Sequence, residues 1–141
     1  MRDISNKNNT LRTAKARSVV SVSDISIQAI NENKVPKGNI FEIAKVAGFM
    51  AVKNTAFVIP HCHPIPVEDC KINFEISGNE IIIEIEAKTN YKTGIEVEVM
   101  YGASVIAVTI YDLLKPIDKK IEITSTKLLF KTGGKSDIGN A

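Results

Sequence analysis

The sequence has no tryptophan, and aromatic residues make up 6% of its 141 positions. Stacking platforms for single-stranded nucleic acid are therefore scarce. Two cysteines, Cys62 and Cys70, are too few for a disulfide framework, and with no export signal they read as reduced thiols. Charge of either sign is not in excess: 18 basic and 16 acidic residues leave a net charge of +2. This disfavours a protein built mainly to coat nucleic acid. The longest apolar stretch, residues 99–114, is interrupted by Tyr101, Ser104, Thr109 and Asp112, so no membrane span is expected. The opening residues Met1 to Lys7 carry no apolar leader core, and the expected location is cytoplasmic. Repeats and low-complexity linkers are missing as well. What is present is 44% hydrophobic and 24% charged residues, enough for one core in a single domain, 1–141.

Residues 1–9 are polar and expected to be mobile. Val19, Val20 and Val22 favour a strand over Thr10 to Val22. Ser23 to Ile30 reads as a short helix with Ser23 as N-cap. Asn39, with Glu42 three residues on, announces a second helix. Its apolar stripe is Ile40, Ile43, Ala44, Ala47 and Met50, ending near Asn54. Cys70 to Ile76 and Glu80 to Lys88 alternate cleanly around Ser77-Gly78-Asn79, the pattern of an antiparallel hairpin with one wet face. Thr93 and Glu96 form a capping box for a third helix that can run to Lys115, before Pro116. That helix is apolar on nearly every side and so expected to be buried all round, with a subunit interface covering what one domain cannot. Ile121 to Phe130 closes the sheet, and residues 132–141 read as a flexible tail. The order predicts an α+β ferredoxin-like sandwich, an antiparallel sheet covered by helices on one face.

Four groups of residues could do chemistry. In Ile59-Pro60-His61-Cys62-His63-Pro64-Ile65-Pro66 neighbouring side chains point to opposite faces, so His61 and His63 converge while Cys62 looks away. Two ligands do not close a zinc site, and no metal centre is expected. A pocket wall and a proline-stiffened loop both fit. Asp112 and Lys115 share a helix face at i, i+3. Burial would lower the lysine pKa and the aspartate would raise it, and sequence does not decide between them. Glu96 reads as the cap. Glu98 lies on nearly the same face as Asp112 but about 21 Å away along a straight helix. One copy of the helix cannot bring both to one reacting atom, so either the ligand is elongated or two subunits share the site. Gly133-Gly134-Lys135-Ser136 lacks the earlier glycine of a P-loop, where Leu129 stands, and is either a mobile phosphate-binding lid or a frayed end. Arg12, Arg17, Lys37 and Lys53, with Lys115 and Lys135, could gather around a polyanion or sit separately in solvent.

In this order, several segments resemble the molybdenum cofactor biosynthesis protein C family, the cyclic pyranopterin monophosphate synthases. They are Asp3-Ile4-Ser5, Thr10-Leu11-Arg12-Thr13-Ala14, Lys37-Gly38-Asn39-Ile40, Ala47-Gly48 and Ile59-Pro60-His61-Cys62-His63-Pro64. Lys92-Thr93-Gly94-Ile95-Glu96-Val97-Glu98, Thr109-Ile110-Tyr111-Asp112 and Gly133-Gly134-Lys135-Ser136 complete the series. The resemblance implies a hexamer of paired subunits with active sites at the dimer interface. It also implies conversion of 3′,8-cyclic dihydroguanosine triphosphate into cyclic pyranopterin monophosphate with release of diphosphate. Asp112, Lys115 and Lys37 match catalytic positions. His61, Cys62, His63, Val97 and Glu98 match substrate-contacting segments, and Arg12, Lys53 and Lys135 match basic positions near the triphosphate. His61 and Val97 depart from the family's common Leu and Met, and Asn54 stands where a basic residue is common. No redox cofactor is implied, and a magnesium ion can arrive with the triphosphate. A non-catalytic ligand-binding domain would explain the fold but not the ordered motifs. RNA binding on the open sheet is disfavoured by Asn73, Glu75, Glu84 and Glu86.

Overall fold

Small side chains along one strand set the layout. In the computed structural model, which describes residues 1–139, strand β1 (Thr10–Ser21) buries Ala14, Ala16, Ser18 and Val20 on one face. Alanine and serine there let a long helix, α3 (Glu96–Leu114), lie close against the sheet centre. β3 (Glu80–Tyr91) pairs antiparallel with β1 in the register Ala14↔Ala87, Ala16↔Ile85 and Val20↔Ile81. Ile81, Ile83, Ile85 and Ala87 are fully buried on the same face, as the alternation predicts. β2 (Asp69–Ser77) joins β3 through the predicted hairpin, where Gly78 takes φ 58°. β4 (Glu122–Thr132) flanks β1, giving the antiparallel order β2-β3-β1-β4. With α1 (Asp24–Asn31) and α2 (Ile40–Val58), the result is the expected α+β ferredoxin-like arrangement.

α2 and α3 cross where glycines remove side chains. A Cβ on Gly48 would come within 2.6 Å of Ile106 Cδ1, and one on Gly102 within 2.8 Å of Val52 Cγ2. Asn39 caps α2 as predicted, its Oδ1 accepting from Phe41 N at 3.1 Å and Glu42 N at 3.2 Å.

Several sequence expectations need correction. α2 does not end near Asn54 but continues to Val58, because nothing disfavours helix until Ile59 precedes Pro60. Thr93 is not the cap of α3, which begins at Glu96 after Ile95 and has no side-chain cap. The Glu96 carboxylate reaches Lys131 on β4 instead of folding back on its own helix. As expected of a helix that one domain cannot enclose, α3 leaves Val97, Met100, Val108 and Tyr111 exposed in the single chain, because the sheet and α2 cover only part of its circumference. α3 is long and apolar enough to cross a membrane by length and hydropathy alone. Half of that window is buried inside the domain, as in a core helix. The segment after β4 folds back, with paired backbone bonds between Lys131 and Ile138 at 2.8 and 2.9 Å and Asp137 accepting from Gly133 N at 3.1 Å. Residues 140 and 141 of the expected tail lie outside the described residues.

Ser23 precedes α1 as expected, but its hydroxyl caps nothing. Asp118, beyond α3 and 4% exposed, takes over. It accepts from Ser23 N at 2.8 Å, Ser26 Oγ at 2.7 Å and Lys120 N at 2.9 Å. Burial pushes its carboxyl up, but these donors outweigh that and hold it below the usual aspartate range. Asp118→Asn is expected to destabilise the fold by about 2 kcal/mol at neutral pH. The native pKa lies below the unfolded one, so the difference from wild type should be full above about pH 4 and vanish as pH falls through the native value. Denaturant titrations at pH 7 and pH 3 check this.

Candidate active site

Charged and polar groups gather at the two ends of α3. At its C-terminal end the last turn leaves carbonyls without helical partners. Lys37, in the α1–α2 loop, supplies a donor, its Nζ bonding to Asp112 O at 2.9 Å and Asp112 Oδ1 at 3.1 Å. Lys115 Nζ lies 3.1 Å from the same Oδ1. Two ammonium groups thus converge on one carboxylate oxygen. The bonds from Lys115 and then Lys37 hold Asp112 below the usual carboxylate range, so it is ionised at neutral pH. The three side chains are 39%, 52% and 55% exposed in the order Lys37, Asp112, Lys115. The desolvation that the apolar helix suggested is absent from the single chain. The cause is position: Asp112 and Lys115 fall on the open side of the last turn. Such a cluster can pass a proton between two amines across one anion, and it presents both to anything that lands there.

At the N-terminal end, Glu98 is 2% exposed. Cys62 Sγ donates to its Oε1 at 3.1 Å, while Oε2 is buried with no partner among the described residues. Burial raises the Glu98 carboxyl, partly offset by the Cys62 thiol. Burial, the Glu98 bond and the charges of Glu98 and Glu96 push the Cys62 thiol up to about 12. Cys62 is therefore a neutral hydrogen-bond donor at physiological pH, not a thiolate ligand or nucleophile. The histidines beside it do point elsewhere, as strand-like alternation requires. His61 Nδ1 lies 2.9 Å from the Met1 nitrogen, and His63 Nε2 lies 2.8 Å from Arg2 O. Among the described residues no three His, Cys, Asp or Glu side chains are grouped to hold a metal ion.

Near the start of α3 a cavity of about 310 Å³ is lined by Arg2, Lys7, Arg12, Lys131 and Lys135, with Glu96 as the one carboxylate among the described residues. Arg12, on β1, is 8% exposed; its Nη2 donates to Lys92 O at 3.3 Å, and its Nε is buried without a partner among the described residues. Loss of solvation, followed by the charges of Arg12, Arg2 and Lys135, depresses the Lys7 amine. Gly134 lies over Arg12: a Cβ there would come within 2.8 Å of Nη1. The Gly-Gly-Lys-Ser segment is thus folded over the guanidinium, and of the six basic residues weighed for a polyanion site only Arg12 and Lys135 line this cavity.

Not every sequence candidate joins these groups. Lys53 is exposed on α2 and lines none of this cavity, and Val97 is exposed on α3 next to Glu98. Arg17 points to the outer sheet face, bonded to Glu84 with Lys15. The sequence reading missed Arg2 and Lys7, dismissed with a polar leader, and Lys131, hidden in a strand. The one available signal was their sign: Arg2, Lys7 and Lys131 line the same cavity as Arg12 and Lys135.

Comparison with known proteins places the chain in a family. The MoaC family model matches residues 1–134. A protein from Clostridium perfringens (strain SM101 / Type A), named cyclic pyranopterin monophosphate synthase, is 44% identical over 138 residues, covering 96% of this chain and 87% of its own length. A protein of the same name from Desulfitobacterium hafniense is 44% identical over 137 residues, covering 96% and 84%. One from Nitratidesulfovibrio vulgaris is 41% identical over 138 residues, covering 96% and 86%. The chain belongs to the MoaC family.

Proposed function

We propose that this MoaC-family chain is a cytoplasmic cyclic pyranopterin monophosphate synthase of molybdenum cofactor biosynthesis. It converts 3′,8-cyclic dihydroguanosine triphosphate to the cyclic pyranopterin monophosphate and diphosphate. The observation that carries this reading is the separation of two complementary groups along one helix. Asp112 with its two lysines sits about 21 Å from Glu98 at 1.5 Å rise per residue. Neither end alone offers ring recognition, phosphate charge and proton transfer together.

A twofold axis across the middle of α3 resolves this, because it sets the N-terminal end of one copy beside the C-terminal end of the other. The exposed residues Val97, Met100, Val108 and Tyr111 form a stripe joining the two ends. Exposed apolar surface of this extent fits a second copy, with hexamers built from such pairs. In the assembled site, buried Glu98 Oε2 accepts from the N–H groups of the purine-derived ring while the Cys62 thiol fixes the other oxygen. His61, His63 and Val97 border that ring. Arg12 and Lys135, with Lys53 from outside the cavity, neutralise the triphosphate. Lys37 and Lys115, oriented by Asp112, exchange protons as the rings open and reclose. Closing the cyclic phosphate joins a sugar hydroxyl oxygen to the α-phosphorus, breaks the α–β bridge and expels diphosphate. That hydroxyl's proton passes to the lysine that gave up its own proton as the rings opened, and the developing phosphate charge is held by cations. A redox cofactor is not needed, and a magnesium ion bound to the phosphates is compatible with the site.

Purified protein incubated with the cyclic dihydroguanosine triphosphate should release diphosphate and the pyranopterin in equal amounts, read by chromatography and a diphosphate assay. Tight binding without either product would favour a ligand-binding domain instead.

A further inference from the structure

The basic cavity contains an oddity that phosphate binding does not explain: a carboxylate in its wall. Glu96 Oε1 accepts from Lys131 Nζ at 3.1 Å, while Oε2 is buried and partnerless among the described residues. It occupies space that only glycine leaves free, since a Cβ on Gly94 would overlap Oε2. Arg12 Nε, buried in the same cavity wall, is partnerless too. Two buried groups of opposite sign thus decline each other, although leaving either unpaired is costly. An anion entering this cavity would satisfy Arg12, but it would meet Lys131 already engaged and a like charge beside it.

We infer that Glu96 is the built-in competitor of the phosphate groups for Lys131: an affinity-setting residue that releases Lys131 to an incoming polyphosphate and reclaims it when the anion leaves. This rests on reading the cavity as the phosphate site. It deepens that reading by adding Lys131 as a phosphate contact and Glu96 as the residue that weakens retention of the leaving diphosphate. When the cavity is empty, Lys131 is neutralised and its position on β4 fixed. When it is occupied, the ammonium faces phosphate, and Glu96 at the first turn of α3 keeps a favourable place near unpaired helix N–H groups.

The test is calorimetric titration of the full chain with inorganic triphosphate and with inorganic diphosphate, in metal-free buffer of fixed ionic strength. Glu96→Gln should bind both probes about tenfold tighter, the order expected for freeing one ammonium from its carboxylate partner. Lys131→Met should bind them about tenfold more weakly. In the double variant most of the gain from Glu96→Gln should disappear, because its action runs through Lys131. Glu96→Asp, which keeps the charge, should stay within about threefold of wild type. Damage to the fold would weaken binding, so tighter binding is not a result a merely structural role can give. Unchanged or weaker binding by Glu96→Gln, or strictly additive effects in the double variant, overturns the inference while leaving the phosphate site intact. Absence of triphosphate binding to wild type and all variants overturns the phosphate reading along with it.

Discussion

Replacing Asp112 by alanine should lower kcat by about a thousandfold or more while KM moves little and the size-exclusion profile stays that of wild type. The carboxylate is exposed and its side chain supports no buried contact, so the fold does not depend on it. It does fix two amines at once, with Lys37 and Lys115 each 3.1 Å from Oδ1. Without it Lys115 loses its anchor, Lys37 keeps only the backbone oxygen of residue 112, and proton transfer loses its alignment. Lys115→Ala and Lys37→Ala should each lose a comparable factor, and the three losses should not add because the groups act as a unit. Steady-state kinetics with size-exclusion chromatography of each variant checks this. Near-normal turnover in Asp112→Ala would remove the proposed acid–base role.

Mixing two dead variants should restore activity. In a dimer made of one Glu98→Ala and one Asp112→Ala chain, a site built from Glu98 of one copy and Asp112 of the other occurs once intact and once doubly defective. Random pairing makes half the dimers mixed, so about a quarter of the wild-type sites return from a background near zero. If all catalytic groups came from one chain, every mixed dimer would stay dead. Co-expression of differently tagged chains, tandem purification and turnover measurement distinguish the two, and no recovery in well-mixed assemblies would rule out the shared site.

Much of the fold was legible because the local and global preferences agree. The alternation of Ile81, Ile83 and Ile85 and the Asn39 cap both survive in the structure. Where the reading failed, a long-range partner had outbid a local one. Glu96 matches a capping box, yet Lys131, thirty-five residues later, takes its carboxylate. Ser23 matches an N-cap, yet the donors at that end serve Asp118, ninety-five residues away. For the site, spacing alone showed that Glu98 and Asp112 stand apart, since both lie on one helix. It could not show that Lys37 caps the far end of that helix or that Arg2 and Lys7 turn inward, because those meetings depend on chain paths with no periodic signature. The state of Cys62 was equally invisible, being set first by the thiol's own burial and then by its bond to a carboxylate on another element.

The glycine pair where the two long helices cross has a consequence at a distance. Gly48 and Gly102 hold α2 and α3 at the smallest gap their backbones allow, like the closed jaws of a calliper. The α1–α2 loop that carries Lys37 enters α2 at one tip, and Asp112 ends the opposing arm at the same tip. The reach between amine and carboxylate is therefore dialled in by two absent methyl groups in the interior, and a thicker hinge would splay the tips before any surface residue had changed.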